Sequence, residues 1–157
     1  MRYLLNCFIA AGFALAVFGS GFATAPAYAD PLKDRKAAMK NLSKSNKVVV
    51  SYAKGSGDLA SAVAAAKKIA SLAETLPQLF PHGSGMGYGT KTRAKPEIWK
   101  DWGKFQKASA TLAMNANNFA KWSAMGSADT MKSAAGAIGK SCGGCHKSFR
   151  GPKPKKR

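Results

Sequence analysis

Carboxylates are scarce in this chain of 157 residues, seven Asp and Glu against 25 Lys and Arg, and histidine is scarcer, with only His82 and His146. Hydrolytic and other general acid–base chemistry usually leans on histidine. His146 falls in a ligand motif, and His82 sits in a glycine-rich stretch with no evident carboxylate partner, so we expect no enzyme active site. Cysteine is equally sparse. A structural zinc site takes four ligands, but past residue 29 the chain offers Cys142, Cys145, His146 and the remote His82 alone. No segment alternates apolar and polar residues as a strand does, which removes the βαβ setting of a thioredoxin-like cysteine pair. A membrane span is not expected either, because the apolar run over residues 8–18 is too short for one.

That run belongs to a different pattern. Arg2 precedes it and the small-residue motif Ala27-Tyr28-Ala29 follows it, so residues 1–29 read as a secretory signal peptide cleaved after Ala29. An uncleaved anchor is the alternative. Cleavage removes one charge, that of Arg2, and leaves +17 of the formal +18 on residues 30–157. It also delivers the chain to an oxidising periplasm, where two empty thiols three residues apart would risk forming a disulfide.

What the chain does have is Cys142-Gly-Gly-Cys145-His146 near its C-terminus. On a helix, residues three and four apart share a face, so both thiols and the imidazole point one way. Cys-x-x-Cys-His is the pattern of c-type haem attachment: two thiols form thioethers with the haem vinyl groups and the imidazole reaches the iron. The same cysteine spacing occurs in zinc and thiol redox sites, which the missing fourth ligand and missing strands weaken.

The remainder reads as helices. Asp30-Pro31 starts the first, with Leu32, Arg35, Met39, Leu42, Asn46, Val49 and Ala53 as its seam, and it ends near Lys54. Asp58 caps the second, whose seam runs Leu59, Ala62, Ala66, Ile69, Ala73 and Leu76 until Pro77 stops it. Residues 77–95, rich in Gly and Pro, form a long crossover. Pro96 opens a third helix that continues to about Gly126, and Ser127 caps a fourth that carries the haem motif on its core face until Gly151-Pro152. Gly and Ala at 134–139 leave room for a bulky planar group. Four amphipathic helices without strands make an all-α four-helix bundle, residues 30–157, with haem between the helices and a basic C-terminal tail.

Three stretches carry a family likeness: Arg35-Lys-Ala-Ala-Met39, Lys95-Pro-Glu-Ile-Trp99, and Cys142-Gly-Gly-Cys145-His146-Lys-Ser-Phe149-Arg150. With them the chain resembles the class II c-type cytochromes, the cytochrome c′ family. The resemblance implies an antiparallel bundle, one haem c on Cys142 and Cys145, His146 as proximal ligand, and Arg150 beside that face. It also implies that the first helix covers the distal face, with Arg35 reaching the haem propionates and the residue four positions later facing the iron. Members with leucine there are five-coordinate and bind nitric oxide or carbon monoxide. Those with methionine tend to be low-spin, six-coordinate carriers, and here the residue is Met39. Periodicity alone would leave Met39 as core packing. Arg35 adds support of its own, since an arginine on an apolar seam is costly unless an anion pairs with it. Snorkelling to the surface is the alternative.

The resulting expectation is a periplasmic electron-transfer protein with His146/Met39 axial ligation, the alternative being a five-coordinate cytochrome c′ binding NO or CO. A His/Met pair raises the haem potential. The charge of +17 points to acidic redox partner proteins, or peripheral contact with an anionic membrane, and to docking that weakens as salt rises. Nucleic acid is not an expected partner of an exported haem protein. A homodimer through the first two helices is common in the family, but the lysines on those faces leave the oligomeric state open.

Overall fold

The computed structural model describes residues 30–153 except Thr90. The signal-peptide expectation for residues 1–29 lies outside the described residues, as does the tail from 154. Helix α1 runs Pro31–Ala53, and its first turn is tied by the Asp30 carboxylate, which accepts from the amides of Leu32 at 3.0 Å and Lys33 at 3.1 Å. Gly55 at φ 83° and Gly57 at φ 94° then turn the chain through left-handed conformations closed to most side chains. Helix α2 spans Leu59–Thr75, capped by Asp58 accepting from the Ser61 amide at 2.7 Å. Its end differs from the pattern reading. Pro77 does not stop the chain abruptly but sits inside one 3-10 turn, Leu76–Leu79.

The third expected helix is broken in two. A single turn, α3 (Glu97–Lys100), is followed by α4 (Trp102–Trp122), with Asp101 between them at φ −115°, ψ 48°. The seam spacing continues across the break, which is why periodicity missed it. Asp101-Trp102-Gly103 is weak helix-forming sequence, and the turn is held from outside: Trp99 Nε1 donates to the Phe80 carbonyl at 3.1 Å. Helix α4 also stops at Trp122, short of Gly126. Helix α5 spans Ala128–Phe149, with Ser127 Oγ accepting from the Thr130 amide at 3.3 Å.

Helices α1, α2, α4 and α5 form an antiparallel four-helix bundle in which α1 packs on α2 and α5, and α4 on the same two. Fully buried Val49, Ile69, Ile98, Phe105, Phe119 and Ile138 fill its centre. Helix α2 contributes a small face, Ala62, Ala65, Ala66, Ala70 and Ala73, so its neighbours approach closely. On α1 the buried set is Arg35, Ala38, Leu42, Ser45 and Val49, which leaves Met39 and Asn46 half-buried on the edge of the seam. The opposite face of α1 is lysine: Lys33, Lys36, Lys40, Lys44 and Lys47 are all exposed. Like charges three and four apart cost an exposed helix about 0.2–0.5 kcal/mol per pair, and no ion pair among the described residues offsets them. No described helix is long and apolar enough to cross a membrane.

Phe119 is fully buried and meets the Tyr52 ring edge-on at 6.3 Å, joining α4 to α1. We expect Phe119→Ala to cost about 3–5 kcal/mol, read as a lower urea midpoint with unchanged slope; a loss below about 1 kcal/mol, slope times midpoint shift, would mean the core is not organised there.

Candidate functional site

Helix α5 carries the motif in its last two turns. Cys142 and Cys145 are half-buried, packed on the bundle core, and not joined to each other. Burial raises both thiol pKa values, and for Cys145 the neighbouring Cys142 adds to the effect. The pair is therefore protonated at neutral pH, which slows its closure into a disulfide, since the thiolate is the attacking form. His146 is half-buried on the same face. Burial lowers its pKa first, and the charges of Arg150 and Arg93 push the same way, so the imidazole is neutral and keeps a lone pair for a metal.

The surroundings suit a flat apolar group. A cavity of about 340 Å³ opens beside Cys145, Phe149 and Ala108, with Glu97, Asp101 and Lys104 along its polar side. Phe105 anchors an aromatic cluster, 4.7 Å from Phe80, 5.5 Å from Trp102 and 5.3 Å from Phe149 between ring centroids. Gly143 and Gly144, between the thiols, are exposed, and no atom outside the local helix backbone lies within 4 Å of where a Cβ would stand on either. Two thiols and one neutral imidazole on one helical face, with Phe149 at its end packed on Phe105 of α4, fit a haem attached through two thioethers.

Met39 lies on α1 one turn after Arg35, half-buried against the same core as Cys142 and Cys145. Met131 is buried on α5 itself, while Met86, Met114 and Met125 are exposed. His82 is an exposed loop residue near Trp99, ring centroids 6.4 Å apart. Arg150 is exposed and closes α5, its amide donating to the His146 carbonyl at 3.1 Å.

Arg35 does not snorkel. It is 6% exposed and stacks over the Phe80 ring at 4.0 Å. All five of its N–H groups are engaged. Nε donates to the Leu79 carbonyl at 3.1 Å, Nη2 to the same oxygen at 2.9 Å and to Ser84 Oγ at 2.6 Å, and Nη1 to the Ser84 carbonyl at 3.1 Å and Thr92 Oγ1 at 3.3 Å. Every acceptor is neutral. Burial lowers its pKa to about 10, which still leaves the group charged at neutral pH. The side chain thus fastens α1 to the crossover at three points.

The crossover is in turn fastened to the haem motif, in part through Arg93 and Ala94, which the sequence reading passed over. Ala94 and Arg150 form an antiparallel bridge: the Lys95 amide donates to the Phe149 carbonyl at 3.0 Å and the Gly151 amide to the Arg93 carbonyl at 2.7 Å. Arg93 Nε donates to the Gly151 and Pro152 carbonyls at 2.8 and 3.1 Å, and Lys95 Nζ to the Ser148 carbonyl at 3.1 Å. These cations cap the negative end of α5. A bridge this short leaves no alternating pattern to read. Gly85 completes the packing, since any Cβ there would overlap the Trp99 ring.

Comparison with known proteins agrees with this geometry. The family model described as Cytochrome C′ matches residues 30–150. A cytochrome c′ from Rhodopseudomonas palustris is 34% identical over 142 residues, covering 88% of this chain and 92% of that protein. A cytochrome c-556 from the same organism is 36% identical over 116 residues, covering 71% and 76%. Among solved structures, a cytochrome c′ from R. palustris superposes with a TM-score of 0.71 at 31% identity, covering 80% of this chain and 98% of that one. Another, a cytochrome c′ described as showing ligand-controlled dimer dissociation, superposes with a TM-score of 0.68 at 27% identity, covering 78% and 95%.

Replacing Arg35 by Leu keeps an apolar side chain at the seam and removes the donors, stranding the buried carbonyls of Leu79 and Ser84. We expect a loss of roughly 2–5 kcal/mol of stability and faster tryptic cleavage after Lys91 or Arg93 in the crossover. Unchanged cleavage would show that the crossover is held without Arg35.

Proposed function

Since the chain belongs to the cytochrome c′ family and binds one covalent haem c, we propose that it is an exported electron carrier whose haem is held by Cys142 and Cys145 and ligated by His146 and Met39. The observation that carries this reading is Met39, placed on α1 against the core shared with both cysteines. Haem iron supplies one-electron exchange, and the His/Met pair sets it at a raised potential. The chain's own part is to keep the ligands still. Neutral His146 lies in the last turn of α5, whose end is held to the crossover through Arg93, and Met39 is carried on a helix whose preceding turn is anchored through Arg35. Ligands that do not move between redox states allow rapid transfer. Arg35 has no donor to spare in this arrangement, so a propionate contact would displace Ser84 or Thr92. Arg150 contributes positive charge beside His146.

Of the two readings, the relatives' names favour the other, because cytochrome c′ recurs among them beside cytochrome c-556. That reading is a five-coordinate haem binding NO or CO, with Met39 as packing. We further propose periplasmic placement after cleavage at Ala29, which the motif supports. Any homodimer, such as one relative forms, would avoid the lysine face of α1, where like charges would oppose one another.

Two measurements test this. In the wild type, acidified organic solvent should leave the haem on the protein, and in Cys142→Ser/Cys145→Ser it should extract all of it; full retention would place the attachment elsewhere. Reduced wild type should show sharp low-spin bands unmoved by carbon monoxide, and Met39→Ala a high-spin spectrum that shifts with it. A wild-type spectrum that already shifts with carbon monoxide would make the gas-binding reading correct.

A further inference from the structure

We infer that the lysine row on α1 is a docking surface for a partner protein that presents a row of carboxylates. At about 100° per residue, Lys33, Lys36, Lys40, Lys44 and Lys47 fall within an arc of about 80°, and at about 1.5 Å rise each they extend about 21 Å along the helix. All five are exposed, on the side opposite the buried seam. The helix has one acidic residue, Asp34, which lies outside that arc. The ion pairs among the described residues join Lys95 to Glu97 and Lys104 to Asp101, both at the start of the second helical pair. The row therefore stands without internal neutralisation, and its self-repulsion is relieved only by an external anion.

Its position suits exchange with the haem site. The inner face of α1 carries Met39 against the core that holds Cys142 and Cys145. A partner on the outer face would stand about one helix diameter, 10–12 Å, from the inner side of α1. The shape of the surface favours a protein over a lipid bilayer. Helices that lie on membranes bury an apolar face in the lipid, whereas α1 spends its apolar face on the bundle core and exposes Val48 alone among its large apolar residues. Opposed rows of fixed charge also steer encounter and set register.

The electron-carrier reading enters only in making that partner a redox protein. Binding is measured here and ligation by the spectra above, so either idea can fail without the other. The probe is a fluorescent helical peptide with glutamates at i, i+4 spacing, titrated at low salt with the haem-loaded protein and followed by anisotropy. Three forms are compared: wild type, K36E/K40E/K44E, and K107E/K121E/K132E, which has the same net charge. A milder K36Q/K40Q/K44Q variant covers the case in which reversal disturbs α1, as judged by circular dichroism. The expected result is wild-type binding that weakens steeply toward about 150 mM salt, lost about tenfold or more in the row variants and less than about threefold in the control. Equal losses in row and control variants would reduce the effect to net charge and overturn the inference. So would absence of wild-type binding, or row-dependent binding to phosphatidylglycerol vesicles without binding to the peptide.

Discussion

A guanidinium buried in a helical bundle must find acceptors for five N–H groups, and in this molecule Arg35 finds all of them on the crossover. The requirement is strict because an unpaired donor away from water costs far more than a single hydrogen bond returns. One side chain therefore holds Leu79, Ser84 and Thr92 together. Those residues place Phe80, whose ring lies under the guanidinium and beside Phe105, and whose carbonyl holds Trp99. The broken third helix follows from the same contact, since Trp99 is tied to the crossover while α4 aligns with α2.

The chain of constraint continues to the far side of the site. Thr92 Oγ1, which accepts from Arg35, also accepts from the Ala94 amide at 3.2 Å, and Ala94 pairs with Arg150. The last turn of α5, with His146 in it, is thus connected through a run of hydrogen bonds to the helix that carries Met39. Four-helix bundles take most of their stability from side-chain packing, which tolerates small sliding of one helix on another. Polar ties of fixed length do not slide. The turn that carries His146 and the helix that carries Met39 are joined by that kind of fixture.

Helix α1 shows how one element serves two environments. Its inner face supplies Arg35, Leu42 and Val49 to the core and Met39 to its edge, while its outer face bears five lysines and no opposing charge. The helix tolerates this because Asp30 caps its start and burial of the seam outweighs pairwise repulsion on the surface. The charge distribution is therefore free to answer to something outside the fold.

The attachment motif was fully legible in the sequence because its chemistry depends on local spacing: three, then four residues along a helix place Cys142, Cys145 and His146 together whatever surrounds them. The helix caps at Asp30, Asp58 and Ser127 were legible for the same reason, each being a contact within one turn. Periodicity also identified four amphipathic helices and the crossover between the second and third. It could not show the break at Asp101, because the seam spacing runs on through it. Nor could it show the partners of Arg35, which lie 44 to 57 residues away in a segment with no regular pattern. The strap from Arg93 to Gly151 was invisible for the same cause. Local spacing determined the chemistry that the last helix can do; only the folded bundle decided which side chains hold it in place, because those contacts join residues that meet only once the helices have packed.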